Sequence, residues 1–320
     1  FGHGSLFELL SIARTQAGEA QLAAWLTEPA SADEVRARQE AVTELTPALD
    51  LREDMALAGA EFARACVNTD LLIGWAERAP ILGPRWLRGV ATLLTTCAVG
   101  SVAYASITGD YAYLVAMLLI EAAFSIPLRR RVHQTLHAAD ASARDLDVLV
   151  HVLNRLEREE FTAARLTALS RQLGTTDVPA SVAIGRLRRL VELHDWQHNQ
   201  FFAPVAATLL WGTHLAWATE AWQRTHGREV RTWLSTVGEF EALSSLSAYR
   251  YEHPADVWPE IVTEGAGFEG VGLGHPLLPA TRMVRNDVRL WGETRLLVVS
   301  GSNMSGKSTL LRTVGINAVL

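Results

Sequence analysis

The sequence predicts a mainly α protein: a long helical domain carrying a hairpin of two apolar helices, followed by the opening of a smaller α/β domain. Three observations lead there. Apolar residues recur at helical spacing through most of the first 250 positions. Two adjacent stretches, Gly89 to Thr108 and Tyr111 to Leu128, are almost free of charge. After Pro254 and Pro259 the composition turns to Gly and short β-type runs, which places a domain boundary near 259.

The first eighty residues read as amphipathic helices. Leu6, Leu9, Leu10 and Ala13 share a face, and Gly18 to Leu26 forms a helix stopped by Pro29. Ser31 with Glu34 three residues on has the form of a capping box. That helix carries Val35, Val42 and Leu45 and ends before Pro47, and another follows from about Leu51 to Cys66.

The two apolar stretches predict a transmembrane hairpin over 89–128. Gly89 to Thr108 carries no charged side chain, and Gly109-Asp110 makes the turn. Arg85 and Arg88 flank one span and Arg129, Arg130 and Arg131 the other, so both basic ends belong on the cytoplasmic side of the inner membrane. Trp86 and Tyr111 suit the interfaces. Glu121 lies mid-span, where a charge is costly. It is expected to be protonated or hydrogen-bonded, and to help self-association.

Soluble helices return over 132–200. Asp145 to Phe161 turns Leu146, Leu149, Leu153 and Leu156 inward, and Leu173 to Pro179 is a loop. Arg186, Arg188 and Arg189 form the strongest basic patch outside the hairpin flanks, and read as a solvated face. Phe201 to Trp222 is a third apolar segment, but His214, Glu220 and the topology argue against a third span. It reads as a core or interfacial helix, and Trp233 to Arg250 as a further soluble one.

Net charge is −6, so no global field favours nucleic acid, and any such contact needs a local patch. Cys66 and Cys97 are the only cysteines, which suits a reducing compartment and excludes a cysteine-based zinc site. His133 with His137, and His194 with His198, are each one turn apart. Neither pair has an identified third ligand, and Gln134 stands where a zinc-protease helix needs Glu.

The chemistry is concentrated at the far end. Arg295 to Ser300 reads as a buried strand, and Leu310 onward has helical spacing. Between them Gly301-Ser302-Asn303-Met304-Ser305-Gly306-Lys307-Ser308 fits the phosphate loop G-x-x-x-x-G-K-[ST] at every position. The glycines let successive N–H groups converge on the α- and β-phosphates of a nucleotide, while Lys307 addresses the β- and γ-phosphates. The Ser308 hydroxyl is placed to ligate Mg²⁺, and Thr309 closes the cradle at the positive end of the helix. The reading is therefore an ATP and Mg²⁺ site in a P-loop (ABC-type) ATPase domain, incomplete over 260–320. Hydrolysis also requires a second acidic Mg²⁺ ligand and a water-orienting group, and neither is identifiable before Leu320. With no Met at its start, the chain is expected to be a piece of a longer protein, and inactive as an ATPase by itself.

The loop "SGSNMSGKSTLLRTVG" resembles that of the MutS family of DNA mismatch-repair ATPases, with Asn-Met before the second Gly. "EGVGLGHPLLP" (269–279) and "MVRNDVRL" (283–290, with Asn286) are similar to the family's segments leading into its ATPase core. "WLSTVGEFEALSSLSAYRYEHPADVWPEI" (233–261) resembles the helix and Pro-Glu-Ile stretch that join lever to ATPase. "AGEAQLAAWLTEPASADEVRARQEAVTEL" (17–45) resembles the start of the core domain. The resemblance implies a core/lever domain over 1–259, a homodimer through the ATPase domain with composite sites, and an ATP-driven lever. It further implies that Met283 and Val284 contact adenine, and that double-stranded DNA is a partner. The middle of the chain departs from the family. No mismatch-reading domain or DNA clamp is recognisable, and the hairpin stands in the core region. A membrane-anchored MutS-related ATPase is the resulting expectation. The competing one is an ATP-driven motor or scaffold of a membrane assembly with no DNA role.

Overall fold

The computed structural model describes residues 2–320 apart from 65–67, 85, 175–177, 263–264, 280 and 303–305, with the side chains of 60–64 and 198 also outside the description. Cys66 and Arg85 fall among the residues not described. The architecture is mainly helical. In chain order the helices are α1 (Leu6–Leu10), α2 (Gln16–Thr27), α3 (Ala32–Leu45), α4 (Leu49–Arg64), α5 (Thr69–Ala76), α6 (Trp86–Thr108), α7 (Ala112–Arg158), α8 (Ala164–Leu173) and α9 (Ala180–Asp195). A 3-10 turn (Trp196–His198), α10 (Ala203–Thr208) and α11 (Trp211–Glu252) follow. Strands β1 (Phe268–Leu273) and β2 (Asn286–Leu290) then precede α12 (Lys307–Val319). The chain divides into two compact units: one of 1–56, 161–167 and 238–320, the other of 57–160 and 168–237.

In the first unit local sequence sets the helix ends. Thr15 caps α2 by accepting from the Gly18 N–H, and Ser31 caps α3 by accepting from the Glu34 N–H at 3.2 Å, while the Glu34 carboxylate pairs with Arg38 at 3.0 Å rather than with the Ser31 N–H of a full capping box. Leu10, Leu22 and Ala242 form a core packed by Phe7, Trp25 and Leu246. The approach of α2 to α11 needs Gly238, because a Cβ there would fall 2.7 Å from the Ala17 carbonyl carbon. Beside it the buried Glu241 carboxylate accepts from the Thr15 hydroxyl (2.5 Å), the Thr15 N–H (3.1 Å) and the Arg14 N–H (3.3 Å). Burial pushes its pKa up, against the pull of those donors. Glu241→Ala leaves the Thr15 and Arg14 donors without their acceptor. It is expected to destabilise the protein by about 1.5–3 kcal/mol, the range for hydrogen bonds to a charged group. A shift of the urea midpoint at unchanged slope would show it, and an unmoved midpoint would show that water replaces the carboxylate. The stretch after α11 is held by α3: Gln39 donates to the Pro259 carbonyl at 3.1 Å and Arg36 to that of Ile261 at 3.1 Å.

β1 and β2 pair antiparallel, with Phe268 opposite Leu290 and Gly270 opposite Val288. A bulge between Gly270 and Leu273 bends the ribbon.

The second unit is built on α7, which runs on from the second apolar stretch through Pro127 into the amphipathic 145–158 segment. The sequence reads these as separate pieces; the structure joins them in one helix. Glu121, Leu128, Thr135, Ser142, Leu149 and Leu156 recur every seven residues and are all buried, flanked by Ala139, Leu146 and Leu153. One unbroken seam therefore guides α7 from the apolar hairpin into the soluble core. Against it α6 buries Ala91, Ala98 and Ala105, also at seven-residue spacing, so that small side chains line the hairpin interface. The outer faces are apolar and open: Ile107 is 85% exposed, Leu119 66% and Ile126 70%.

Glu121 is 3% exposed, and neither of its carboxylate oxygens has a hydrogen-bond partner among the described residues. Because its own chain encloses it, we expect Glu121→Leu to leave the oligomeric state unchanged, contrary to the self-association role the sequence suggests. Removing two unpartnered buried oxygens should instead stabilise the hairpin by about 1–3 kcal/mol, whereas Glu121→Gln keeps two buried polar atoms, a carbonyl oxygen and an NH2 group, and should not. Denaturant midpoints of both variants test the difference; equal midpoints would mean that the carboxyl is satisfied in solution.

The third apolar segment is not one continuous helix. It divides into α10 and the start of α11, which breaks at Leu210, a buried non-glycine residue with φ +46°. Leu210, Leu215, Ala216 and Trp217 pack against Leu82, Ala91, Leu128 and Leu136. The soluble helix expected over 233–250 is the continuation of the same α11. Glu220, at 2% exposed, accepts from the N–H groups of Ile81 (2.7 Å) and Leu82 (2.9 Å), and thereby fixes the chain entering α6.

Candidate functional site

The phosphate-loop motif meets the structure at the start of α12. Gly306 caps the helix with φ +85° and ψ 4°, a left-handed conformation that costs a Cβ-bearing residue about 1–2 kcal/mol. This turn directs the first N–H groups of the helix, those of Lys307, Ser308 and Thr309, out of its N-terminus. None has an acceptor among the described residues, whereas the Leu310 N–H bonds back to the Gly306 carbonyl at 3.0 Å. The Lys307 ammonium folds over the loop and donates to the carbonyls of Gly301 (2.5 Å) and Ser302 (2.6 Å). No carboxylate pairs with it among the described residues, so its charge is free for an anion. Ser308 and Thr309 are exposed. Asn303, Met304 and Ser305 lie outside the described residues.

These residues fit a nucleotide phosphate chain with Mg²⁺. The free N–H groups and the helix dipole suit phosphate oxygens, Lys307 supplies the cation and Ser308 a hydroxyl ligand. The bound metal would screen the phosphate charge. The chain's own residues would bind and orient the phosphates, and none of those described is placed to activate a water.

The strand expected over Arg295–Ser300 does not form. The segment is extended without ladder pairing among the described residues, and Leu296, Leu297 and Val298 are 79%, 48% and 76% exposed. A buried parallel strand needs neighbours on both edges, and the only ribbon described, β1–β2, pairs with itself. What holds α12 instead is Asn317, whose amide donates to the Gly274 carbonyl at 2.9 Å and to that of Thr313 at 2.8 Å. Sequence reasoning missed this anchor, since a single Asn late in a helix carries no motif signal. Gly274 precedes His275-Pro276 in the turn after β1, and Met283 packs on Gly274, where a Cβ would lie 2.2 Å from its sulfur. Val284 is 76% exposed, and Asn286 opens β2 with its amide on the Val284 carbonyl at 3.1 Å.

The other candidates take ordinary roles. Arg188 pairs with Asp147 at 3.0 Å and Glu192 at 2.9 Å, which neutralises the centre of the basic patch. His133 and His137 stack on α7 at 5.9 Å. Among the described residues no group of three or more His, Cys, Asp or Glu could hold one metal ion.

Fold and site together define a mainly helical protein ending in a phosphate-loop turn and helix. Short stretches of it are similar to MutS-type proteins. It is 48% identical over 42 residues to an endonuclease MutS2 of Pediococcus pentosaceus, covering 13% of this chain and 5% of that protein. With a MutS2 of Anaeromyxobacter it shares 43% over 58 residues, or 18% and 7% of the two chains. With the DNA mismatch repair protein MutS of Fervidobacterium nodosum it shares 31% over 94 residues, or 29% and 10%. The matched stretches thus span a tenth or less of those relatives' lengths. No family model matches the chain, and no solved structure matches it.

Proposed function

We propose that this chain is the core/lever part (1–259) and the first segment of the ATPase domain (260–320) of a MutS-related ATPase. In this reading the hairpin at 89–128 anchors it in the cytoplasmic membrane. The observation that carries the nucleotide reading is the left-handed Gly306 turn, which presents three N–H groups without an acceptor among the described residues, beside a Lys307 ammonium that folds over the loop carbonyls and holds no described carboxylate. The local likeness to MutS and MutS2 proteins supports the family, and with it a homodimer through the ATPase domain and double-stranded DNA as partner.

The membrane anchor rests on exposure. α6 and α7 each contain an 18-residue window of mean hydropathy 1.6, yet only 17% and 11% of these windows are buried. A soluble core hairpin would bury them; here the apolar faces of Leu93, Val99, Val115, Leu119 and Ile126 point outward. At 1.5 Å per residue the 23 residues of α6 reach about 34 Å, enough to cross a hydrocarbon core of about 30 Å.

DNA binding by the full-length protein in lipid nanodiscs tests the functional reading, with matched and mismatched duplexes, with and without ATP, across a salt series. Binding that responds to ATP and weakens steeply with salt is expected for phosphate contacts. Absence of binding at low salt would favour the second reading, an ATP-driven element of a membrane assembly. The net charge of −6 and the neutralised patch around Arg188 favour that alternative.

A further inference from the structure

We propose that Trp196–Thr208 is a second membrane contact, an aromatic wedge seated in the headgroup and upper acyl region of the leaflet at the arginine-flanked end of the hairpin. The inference rests on the membrane reading of 89–128 and adds to it a site that the two spans do not require.

Four observations carry it. From Trp196 to Thr219 the sequence has no Asp, Glu, Lys or Arg, as uncharged a run as the first span, though it forms no spanning helix. Its later part is buried in the core at Leu210, Leu215 and Trp217, but its first part is not: Phe201 is 93% exposed, Trp196 60% and Val205 46%. This first part is rigid. Phe202 stands edge-on to Trp196 at 6.3 Å and to Trp211 at 5.3 Å, and the Trp211 indole donates to the Leu193 carbonyl at 2.7 Å. The Asn199 side chain and carbonyl accept from the N–H groups of Phe201 (2.9 Å) and Phe202 (3.0 Å). Phe201 is therefore held outward by a fixed turn, so little ordering entropy opposes its insertion.

The depth follows from the contact with α6. The Thr95 hydroxyl lies 3.4 Å from the Leu209 carbonyl and 3.2 Å from His214 Nε2. Thr95 is seven residues beyond Arg88 along α6, about 10 Å by helix rise. The end of α10 thus lies about as far inside the arginine level as interfacial helices embed, roughly 5–10 Å. The neighbouring charges have the matching chemistry. Arg88, Arg129, Arg130 and Arg131 are exposed and hold no carboxylate among the described residues. Such arginines around an uncharged aromatic tip match anionic headgroups above an acyl layer.

The test places an environment-sensitive NBD label at F201C, and separately at I120C in the hairpin, in the full chain with Cys66 and Cys97 replaced by Ser, reconstituted in vesicles containing phosphatidylglycerol. Phe201 is so exposed that its replacement leaves the fold unchanged. The expected result is blue-shifted F201C emission, shielded from aqueous iodide and quenched more by lipid nitroxides near the headgroup than by those deep in the chain. I120C should be quenched by the deep ones. A label at Phe201 open to iodide, with I120C quenched at depth, overturns the wedge and leaves the anchor standing. Shielding from both iodide and nitroxides would mean that protein covers Phe201, and overturns the wedge equally. Loss of quenching at I120C would overturn the membrane reading itself, and the wedge with it.

Discussion

Lys307→Ala is expected to abolish ATP binding at the start of α12, with a loss of at least about 100-fold in affinity. Removing a charge-assisted contact to phosphate costs about 3 kcal/mol, and each 1.4 kcal/mol is tenfold. The lysine contributes little to the fold, because its ammonium holds only the exposed carbonyls of Gly301 and Ser302. The melting temperature without nucleotide should therefore not move, and the stabilisation that ATP gives the parent protein should vanish. Equilibrium binding of a fluorescent ATP analogue with Mg²⁺, beside thermal melts, reads both. Unchanged affinity would remove this loop from nucleotide binding. Ser308→Ala is a graded companion: it deletes the hydroxyl offered to Mg²⁺ but keeps the N–H cradle, so binding without Mg²⁺ should survive.

The second large effect concerns the hairpin. Val102 and Leu119 are 41% and 66% exposed, on the outer faces of α6 and α7. In a bilayer, Val102→Lys with Leu119→Lys puts two ammonium groups in hydrocarbon, at about 2.5–3.5 kcal/mol each, so integration should fail by about 5–7 kcal/mol. In water the same substitutions would be harmless or would improve solubility, since neither side chain is part of the buried seam. The readout is the fraction of protein resisting alkaline carbonate extraction. The parent protein should remain with the membrane and the double variant should be released. Equal behaviour would identify the hairpin as a soluble element whose apolar faces meet another protein.

Helices were largely legible in the sequence because their signals are local. Ser31 with Glu34 gave the start of α3, and Pro47 its end, from contacts within one turn. The inward faces of Leu146, Leu149, Leu153 and Leu156 followed from spacing alone, and all four are buried. Joining the pieces was not legible. Pro127 lies inside α7, and the helix continues through it because a buried seam on both sides outweighs one lost hydrogen bond. Arg295–Ser300 failed in the opposite sense. Its Leu and Val content matches a strand, but a strand forms only against a neighbouring ladder.

At the site, the motif carried the essential information: two glycines, a lysine and a hydroxyl at fixed spacing before a helix imply a phosphate cradle before any coordinates exist. The sequence by itself proposed which residues would form that cradle, and it located the long apolar helices and the start of α3, because these depend on neighbours within a few positions. Only the tertiary structure decided that Glu121 is buried within its own chain, that Asn317 anchors the phosphate-loop helix to Gly274, and that Phe201 projects while Trp217 is buried. Each of these depends on residues far apart in sequence whose meeting is fixed by packing, and periodicity records which face is apolar without recording what that face will meet.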